Sequence, residues 1–246
     1  MILTLDRKRD RNPVKTARIE QRYAGQLRKV AEQVGSIIRP FQPGDISQVP
    51  TIQQLLNAYA DMLKGWATQT ASNMLMDVAL RDEQAWQMMA KELSRGLREE
   101  IRNAPTGQVM KALLAEQVTL IQSIPREAAQ RVHELTLKGL EDSTRANEIA
   151  KEIMASGEVA ASRATLIART ETARTASVLT QARALHIGCT HAIWRTSGDG
   201  AVRKAHREMN GKTFSLSDPP LLSDGTKTFP GQIFNCRCFF EPVLVD

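Results

Sequence analysis

Residues 189–214 read CTHAIWRTSGDGAVRKAHREMNGKTF, and within them the chain changes its period. Up to His186 apolar residues recur at helical spacing; residues 190–196 instead read as a strand centred on Ile193 and Trp194. A short helix is expected over 201–209, and Asn210-Gly211 supplies a tight turn into a second strand at 212–214. A span near Phe229 and residues 237–244 are further strand candidates, with Pro219-Pro220 and Ser223-Asp224-Gly225 marking a surface loop. The end of the chain is therefore expected to be a helix packed on a short antiparallel sheet.

Upstream, proline punctuates helices. Asn12-Pro13 opens a helix that runs to about Arg39-Pro40, and a loop with Pro43, Gly44 and Pro50 follows. Ile52, Leu55, Leu56, Tyr59, Met62, Leu63 and Trp66 then define one expected buried face, followed through Met74, Leu75 and Val78. The pattern blurs near Asp82 and resumes with Trp86, Met89, Leu93 and Leu97. Met74, Met76, Met88 and Met89 read as core fillers. Further helices are expected over 106–122, 125–140 and 144–155, the last stopped by Gly157, and a long Ala- and Thr-rich helix over 160–186. The fold class is thus α+β: a mainly helical N-terminal region followed by a small α+β C-terminal domain. The divisions expected are a basic arm at 1–12, a helical region at 13–143 and the α+β domain at 144–246.

Charge is concentrated at one end. The whole net charge of +6 lies in the first thirty residues, where Arg7, Lys8, Arg9, Arg11, Lys15 and Arg18 lead Arg22, Arg28 and Lys29. Such an arm suits a polyanion, either nucleic acid or an acidic protein surface. No apolar stretch reaches membrane-spanning length and the N-terminus lacks the order of a secretion signal, so a soluble protein made in a cytoplasm is expected. Three cysteines do not suggest a disulfide framework.

Ligand-type side chains gather only near the C-terminal end. Cys236 and Cys238, two apart, point the same way if extended. With His206 they offer three tetrahedral positions of the kind zinc prefers, which Cys189 or His191 would complete. A buried thiol cluster and a disulfide are the other readings of the same residues. On the long helix, Ile167, Glu171, Arg174, Val178 and Leu185 form a stripe in which a carboxylate and a guanidinium interrupt apolar residues. A buried Glu171 would need a second partner, for which Arg169 or Arg203 is available. Asp199, Arg203 and His206 could also serve as acid, cation and base in a metal-dependent nuclease or toxin-like effector. Their order and spacing match no nucleophile elbow, phosphate loop or zinc-hydrolase motif, so a non-enzymatic role is expected.

Ala168-Arg169-Thr170-Glu171-Thr172, then Trp194, Asp199, Arg203, His206 and Gly211, then Pro230-Gly231 and Asn235-Cys236-Arg237-Cys238 occur in that order. The ordered set resembles the phage Mu protein F-like head-morphogenesis family, the minor head proteins of tailed bacteriophages, over roughly residues 145–244. The resemblance implies a virion protein of the phage head, assembled in the host bacterial cytoplasm. Its implied partners are portal, capsid or scaffold proteins and packaged DNA. It also implies a defining cluster of Arg169, Glu171, Trp194, Asp199, Arg203, His206, Cys236 and Cys238, with zinc as the ion its Cys and His residues would hold.

Overall fold

The computed structural model describes residues 12–41, 46–90, 94–141 and 146–244. Eight α-helices and three strands are found among them: α1 (Ala17–Ile38), α2 (Val49–Met62), α3 (Lys64–Met89), α4 (Arg95–Asn103), α5 (Thr106–Glu141), α6 (Ala146–Met154), α7 (Ser156–His186), β1 (His191–Arg195), α8 (Lys204–Met209), β2 (Thr213–Ser215) and β3 (Phe239–Val243). The expected α+β class is the observed one. The expected arm at 1–12 lies outside the described residues apart from Asn12.

The chain divides into two compact units, and the division falls inside α1, α3, α5 and α7. One unit comprises Gln21–Ser72 and Leu114–Ala168 and is wholly helical. Its helices form because apolar residues return every three or four positions: Tyr23, Leu27, Val30, Val34 and Ile38 on α1, and Ile52, Leu56 and Ala60 on α2, are all buried. One buried polar link spans this unit: Tyr23 Oη donates to Gln117 Oε1 at 2.9 Å.

Three helical expectations are corrected here. Leu55 and Met62, expected in the core, are 46% and 76% exposed, because the buried stripe of α2 runs through its smaller neighbour Ala60. Pro125 does not separate two helices but sits inside α5. The turn before it is anchored by Ile121 and Ile124, both fully packed, which offsets the lost amide bond. Gly157 does not stop a helix: it lies in the first turn of α7, where a Cβ would come within 3.0 Å of Gly35 Cα on α1. Its role is to let two backbones meet.

The other unit takes Met1–Glu20, Asn73–Leu113 and Arg169–Asp246. Its sheet has the order β2-β1-β3, all antiparallel, with Trp194 opposite Phe240 and Ala192 opposite Phe214. The strand expected near Phe229 is absent: an isolated bridge joins Leu221 to Lys227, and Phe229 packs its ring 6.1 Å from that of Phe214. Within this unit, Met76 and Met88, read as core fillers, are exposed, whereas Met74 is buried. The core gathers Trp86 of α3, Ile101 of α4, Ala184 of α7, Trp194, Phe214, Phe240 and the three cysteines. Aromatic pairs in edge geometry, Trp194–Phe214 and Phe214–Phe240 at 5.9 Å each, give it a definite shape.

This unit also buries an ion pair that periodicity alone does not announce. Asp82 of α3, fully buried, accepts from Arg183 Nε at 2.8 Å and from Thr180 Oγ1 at 2.6 Å. Arg183 Nη1 also donates to the carbonyl of Ile101 at 2.6 Å. Burial pushes the Asp82 carboxyl up to about 6, while Thr180 and Arg183 pull the other way. The blurred pattern near Asp82 is therefore a polar crosslink of three helices within one unit.

Candidate metal centre and its clasp

Trp194 and His206 are brought together by a short hairpin-like return. After α8 the chain turns at Asn210, with φ −55° and ψ 124°, and Gly211, with φ 81°, closed by Lys212 N–H to the Met209 carbonyl at 2.9 Å. That is a type II turn, in which the second central residue must accept a positive φ, hence glycine. The turn is welded to β1: Gly211 N–H donates to the Trp194 carbonyl at 2.8 Å, and Trp194 N–H to Lys212 at 2.9 Å. Asn210 Oδ1 accepts from Thr196 N–H at 3.0 Å. His206 is thereby set edge-on to the Trp194 indole, the ring centroids 5.4 Å apart at 86°.

The cysteines reach the same place along a loop held by α7. Ser177 Oγ donates to the Pro230 carbonyl at 2.7 Å and Asn235 N–H to Thr170 Oγ1 at 3.2 Å. Between these clamps Gly231, at φ 81°, is so close that a Cβ would lie 2.9 Å from the Cys238 carbonyl and 3.4 Å from Ser177 Cβ. Asn235 takes the left-handed conformation at φ 57°, a placement its short amide side chain tolerates. The expected alternation holds without a formal strand: Cys236 and Cys238 are buried and Arg237 between them is exposed.

The three ligand atoms meet. Cys236 Sγ and Cys238 Sγ each lie 3.4 Å from His206 Nδ1, and all three atoms are within 4.8 Å of one another. The residues are 3%, 5% and 2% exposed. No disulfide joins the thiols. Cys236 is pulled down to about 5 by the hydrogen bond from the Cys238 thiol, helped by Gly231 N–H at 3.3 Å and by His206. Cys238 is pushed up by the same bond and by burial, so the two thiols titrate as a pair rather than independently.

This donor set fits a zinc-type ion. With Zn–S of about 2.3 Å and Zn–N of about 2.0–2.1 Å, a tetrahedral site has S···N edges of about 3.5 Å; the observed edges are 3.4 Å. His206 Nε2 is buried with no hydrogen-bond partner. Cys189 and His191, the expected fourth ligands, do not join the group. Cys189 is buried in the apolar core, its thiol pushed up to about 11, and His191 bonds Thr190 Oγ1 on the exposed side of β1. Among the described residues no fourth His, Cys, Asp or Glu completes the set.

The remaining residues of the expected cluster are distributed around this centre. Asp199 pairs with Arg237 at 2.9 Å and caps Ala201 N–H at 3.0 Å, while Arg203 Nη2 donates to the Phe234 carbonyl at 2.7 Å. The two thus hold the cysteine loop from its outer side. Glu171 is buried and pairs with Arg174 at 3.5 Å. Arg169 and Arg203, the candidates for its second partner, go elsewhere: Arg169 pairs with Glu20 at 3.3 Å. Thr170, Ser177 and Gly231, which anchor the loop, are small residues whose role the pattern of charges did not single out. Thr170 and Gly231 stand in the ordered set that carries the resemblance, without a role assigned to them; Ser177 has no such signal. Of the arm cations, Lys15 and Arg18 are described and exposed; Arg7, Lys8, Arg9 and Arg11 lie outside the described residues.

The fold and site define a helical chain ending in an α+β module closed on a buried Cys-His-Cys centre. The family model described as phage Mu protein F like protein matches residues 130–241, and over that stretch the chain is similar to this family. An uncharacterized protein of Haemophilus influenzae (strain ATCC 51907 / DSM 11121 / KW20 / Rd) is 32% identical over 145 residues, which are 58% of this chain and 32% of that protein. The match thus takes up about a third of that relative's length. No solved structure matches. No helix of the described residues is long and apolar enough to cross a membrane.

Proposed function

We propose that this protein is a non-enzymatic minor head protein of a tailed bacteriophage, acting in head morphogenesis at or near the portal. The Mu F-like stretch supports a phage-head association, and the construction of the centre supports a structural role for it. The single observation that carries this second point is burial: His206, Cys236 and Cys238 are all at least 95% enclosed, beneath a loop held by α7, Asp199 and Arg203. A substrate would need one of these groups to be open. His206, Cys236 and Cys238 would hold a zinc ion, whose contribution is to crosslink α8 to the cysteine loop. Portal, capsid or scaffold proteins are the partners in this reading, and the exposed Lys15 and Arg18 continue a basic N-terminal arm suited to packaged DNA or an acidic protein surface.

The test is assembly. Phage heads made with the gene deleted are expected to be defective or unstable by electron microscopy, and the purified protein is expected to associate with portal protein. Normal, infectious particles from the deletion would refute the assembly role. The rival reading, a metal-dependent nuclease, is decided by incubating the protein with DNA, RNA and divalent metals. Cleavage that disappears in His206→Ala would establish the enzyme instead.

A further inference from the structure

The buried face of α2 uses Ile52, Leu56 and Ala60 and continues through Leu63. Beside it runs a second apolar stripe that the described residues leave uncovered. Leu55 is 46% and Met62 76% exposed, and Tyr59 and Trp66 are half-buried. The stripe is continuous although α2 gives way to α3 at Leu63. That residue keeps helical angles of −68° and −16°, and Ala67 N–H bonds its carbonyl at 2.7 Å.

At about 100° per residue, this face is centred on Met62. Tyr59 and Trp66 lie about 40–60° to one side, and Ala58 and Gly65 about the same to the other. Gly65 has no need of its own to be glycine: its φ is not positive, and a Cβ there would meet nothing within 4 Å. The small flank leaves room for another backbone to approach.

We propose that this face is a two-fold contact between two copies of the chain, antiparallel about Met62. An antiparallel two-fold exchanges residues before Met62 with those after it and keeps each flank on its own side. Tyr59 then meets Trp66 of the second copy, Ala58 meets Gly65, and Met62 meets Met62. Aromatic packs on aromatic and small on small, so the face is complementary to itself. Charge points the same way. Between residues 49 and 72 the only charged side chains are Asp61 and Lys64, about 100° and 160° round from Met62, and Asp61 is paired with Arg126 at 2.8 Å. A second copy meets no like charge across this stripe, and a charged partner would find nothing here to pair with. From Leu55 to Trp66 the stripe is about 16 Å long. A contact this short is expected to be weak, with dissociation at micromolar concentration or above. The inference goes beyond the assembly reading and does not depend on it.

Sedimentation velocity of the full chain over a micromolar concentration series tests it. The wild type is expected to pass from monomer to dimer. Met62→Glu and Gly65→Leu are expected to weaken association at least about tenfold, while Asn57→Glu, about 140° round the helix, leaves it unchanged. Fluorescence reports separately. Of the three tryptophans Trp86 and Trp194 are fully buried, so an emission shift with concentration must come from Trp66 and vanish in Trp66→Phe. A wild type that stays monomeric throughout overturns the proposal. So does a dimer indifferent to Met62→Glu with unchanged circular dichroism.

Discussion

The interiors of the two units differ in kind. In the helical unit the interior is mainly aliphatic, Leu27, Val34, Leu56, Ile121 and Val132 among others, with Tyr23–Gln117 as a buried polar link, and Gly35 and Gly157 let two backbones come close. In the unit that carries the sheet, polar side chains reach across long stretches of sequence: Asp82 to Arg183, Thr170 to Asn235, Ser177 to Pro230, His206 to two thiols. The first kind of interior degrades gradually, because each lost methylene removes a little burial and leaves a small cavity. The second fails steeply, because removing one partner strands the other away from water.

The largest effect should come from the thiols. Cys236→Ser with Cys238→Ser is expected to abolish metal binding by elemental analysis and to remove at least ~3 kcal/mol of stability. In hydrogen exchange on the full chain, protection should fall in residues 190–244 and persist in 21–72; uniform loss would show that the two kinds of interior are not separable. Chelator should reproduce the effect in the wild type and not in the double variant.

Asp82→Ala comes next. It leaves Arg183 buried beside Ile101 with no carboxylate, at a cost of about 3–5 kcal/mol by denaturant unfolding. Leu56→Ala in the helical unit should cost less, about 2–4 kcal/mol; the reverse order would break the comparison. Asp82 also sets a pH dependence. Its carboxyl is raised to about 6 in the folded chain from an ordinary value near 3.8, so the native state holds this proton to higher pH than the unfolded chain. The contribution is fully present below about 4, is lost as pH rises to about 6, and is flat above, a change of ~2–3 kcal/mol. The difference in unfolding free energy between wild type and Asp82→Asn, followed across that window, should show this slope, and a flat difference would count against it.

Glycine substitutions sharpen the contrast at smaller scale. Gly231→Ala places a Cβ 2.9 Å from the Cys238 carbonyl at a positive φ and should cost about 1–3 kcal/mol and loosen the thiol loop. Gly157→Ala, 3.0 Å from Gly35 Cα, should cost about 1 kcal/mol after the gain in helix propensity. Gly35→Ala, at 3.8 Å, should be neutral or slightly stabilising in thermal melts.

The sequence made different parts of this legible for the same physical reasons. A helix announces itself through a period, so α1, α2 and α7 could be read directly; their ends, and the inclusion of Pro125 within α5, depend on packing that no local pattern records. Which of Leu55 and Ala60 faces inward turns on the neighbouring helix rather than on hydrophobicity. At the centre, His206, Cys236 and Cys238 were identifiable because thiols and imidazoles are scarce and clustered, and the alternation of Cys236 and Cys238 placed both on one side. What escaped was the support: Ser177 is an ordinary residue until the fold sets a loop against it, and Thr170 stood in the ordered set without a role. Asp82 was visible only as a flaw in an apolar pattern, since its partner lies 101 positions away.

The interleaving of the two units bears on how this protein can be divided. A fragment starting where the family match begins, at residue 130, would lack Trp86 and Ile101 from its core and would keep Arg183 without Asp82. The matched segment is therefore shorter than the set of residues that builds this unit's core. Trimming to the shared region should yield a sticky, poorly ordered product, whereas retaining residues 73–113 supplies the missing wall.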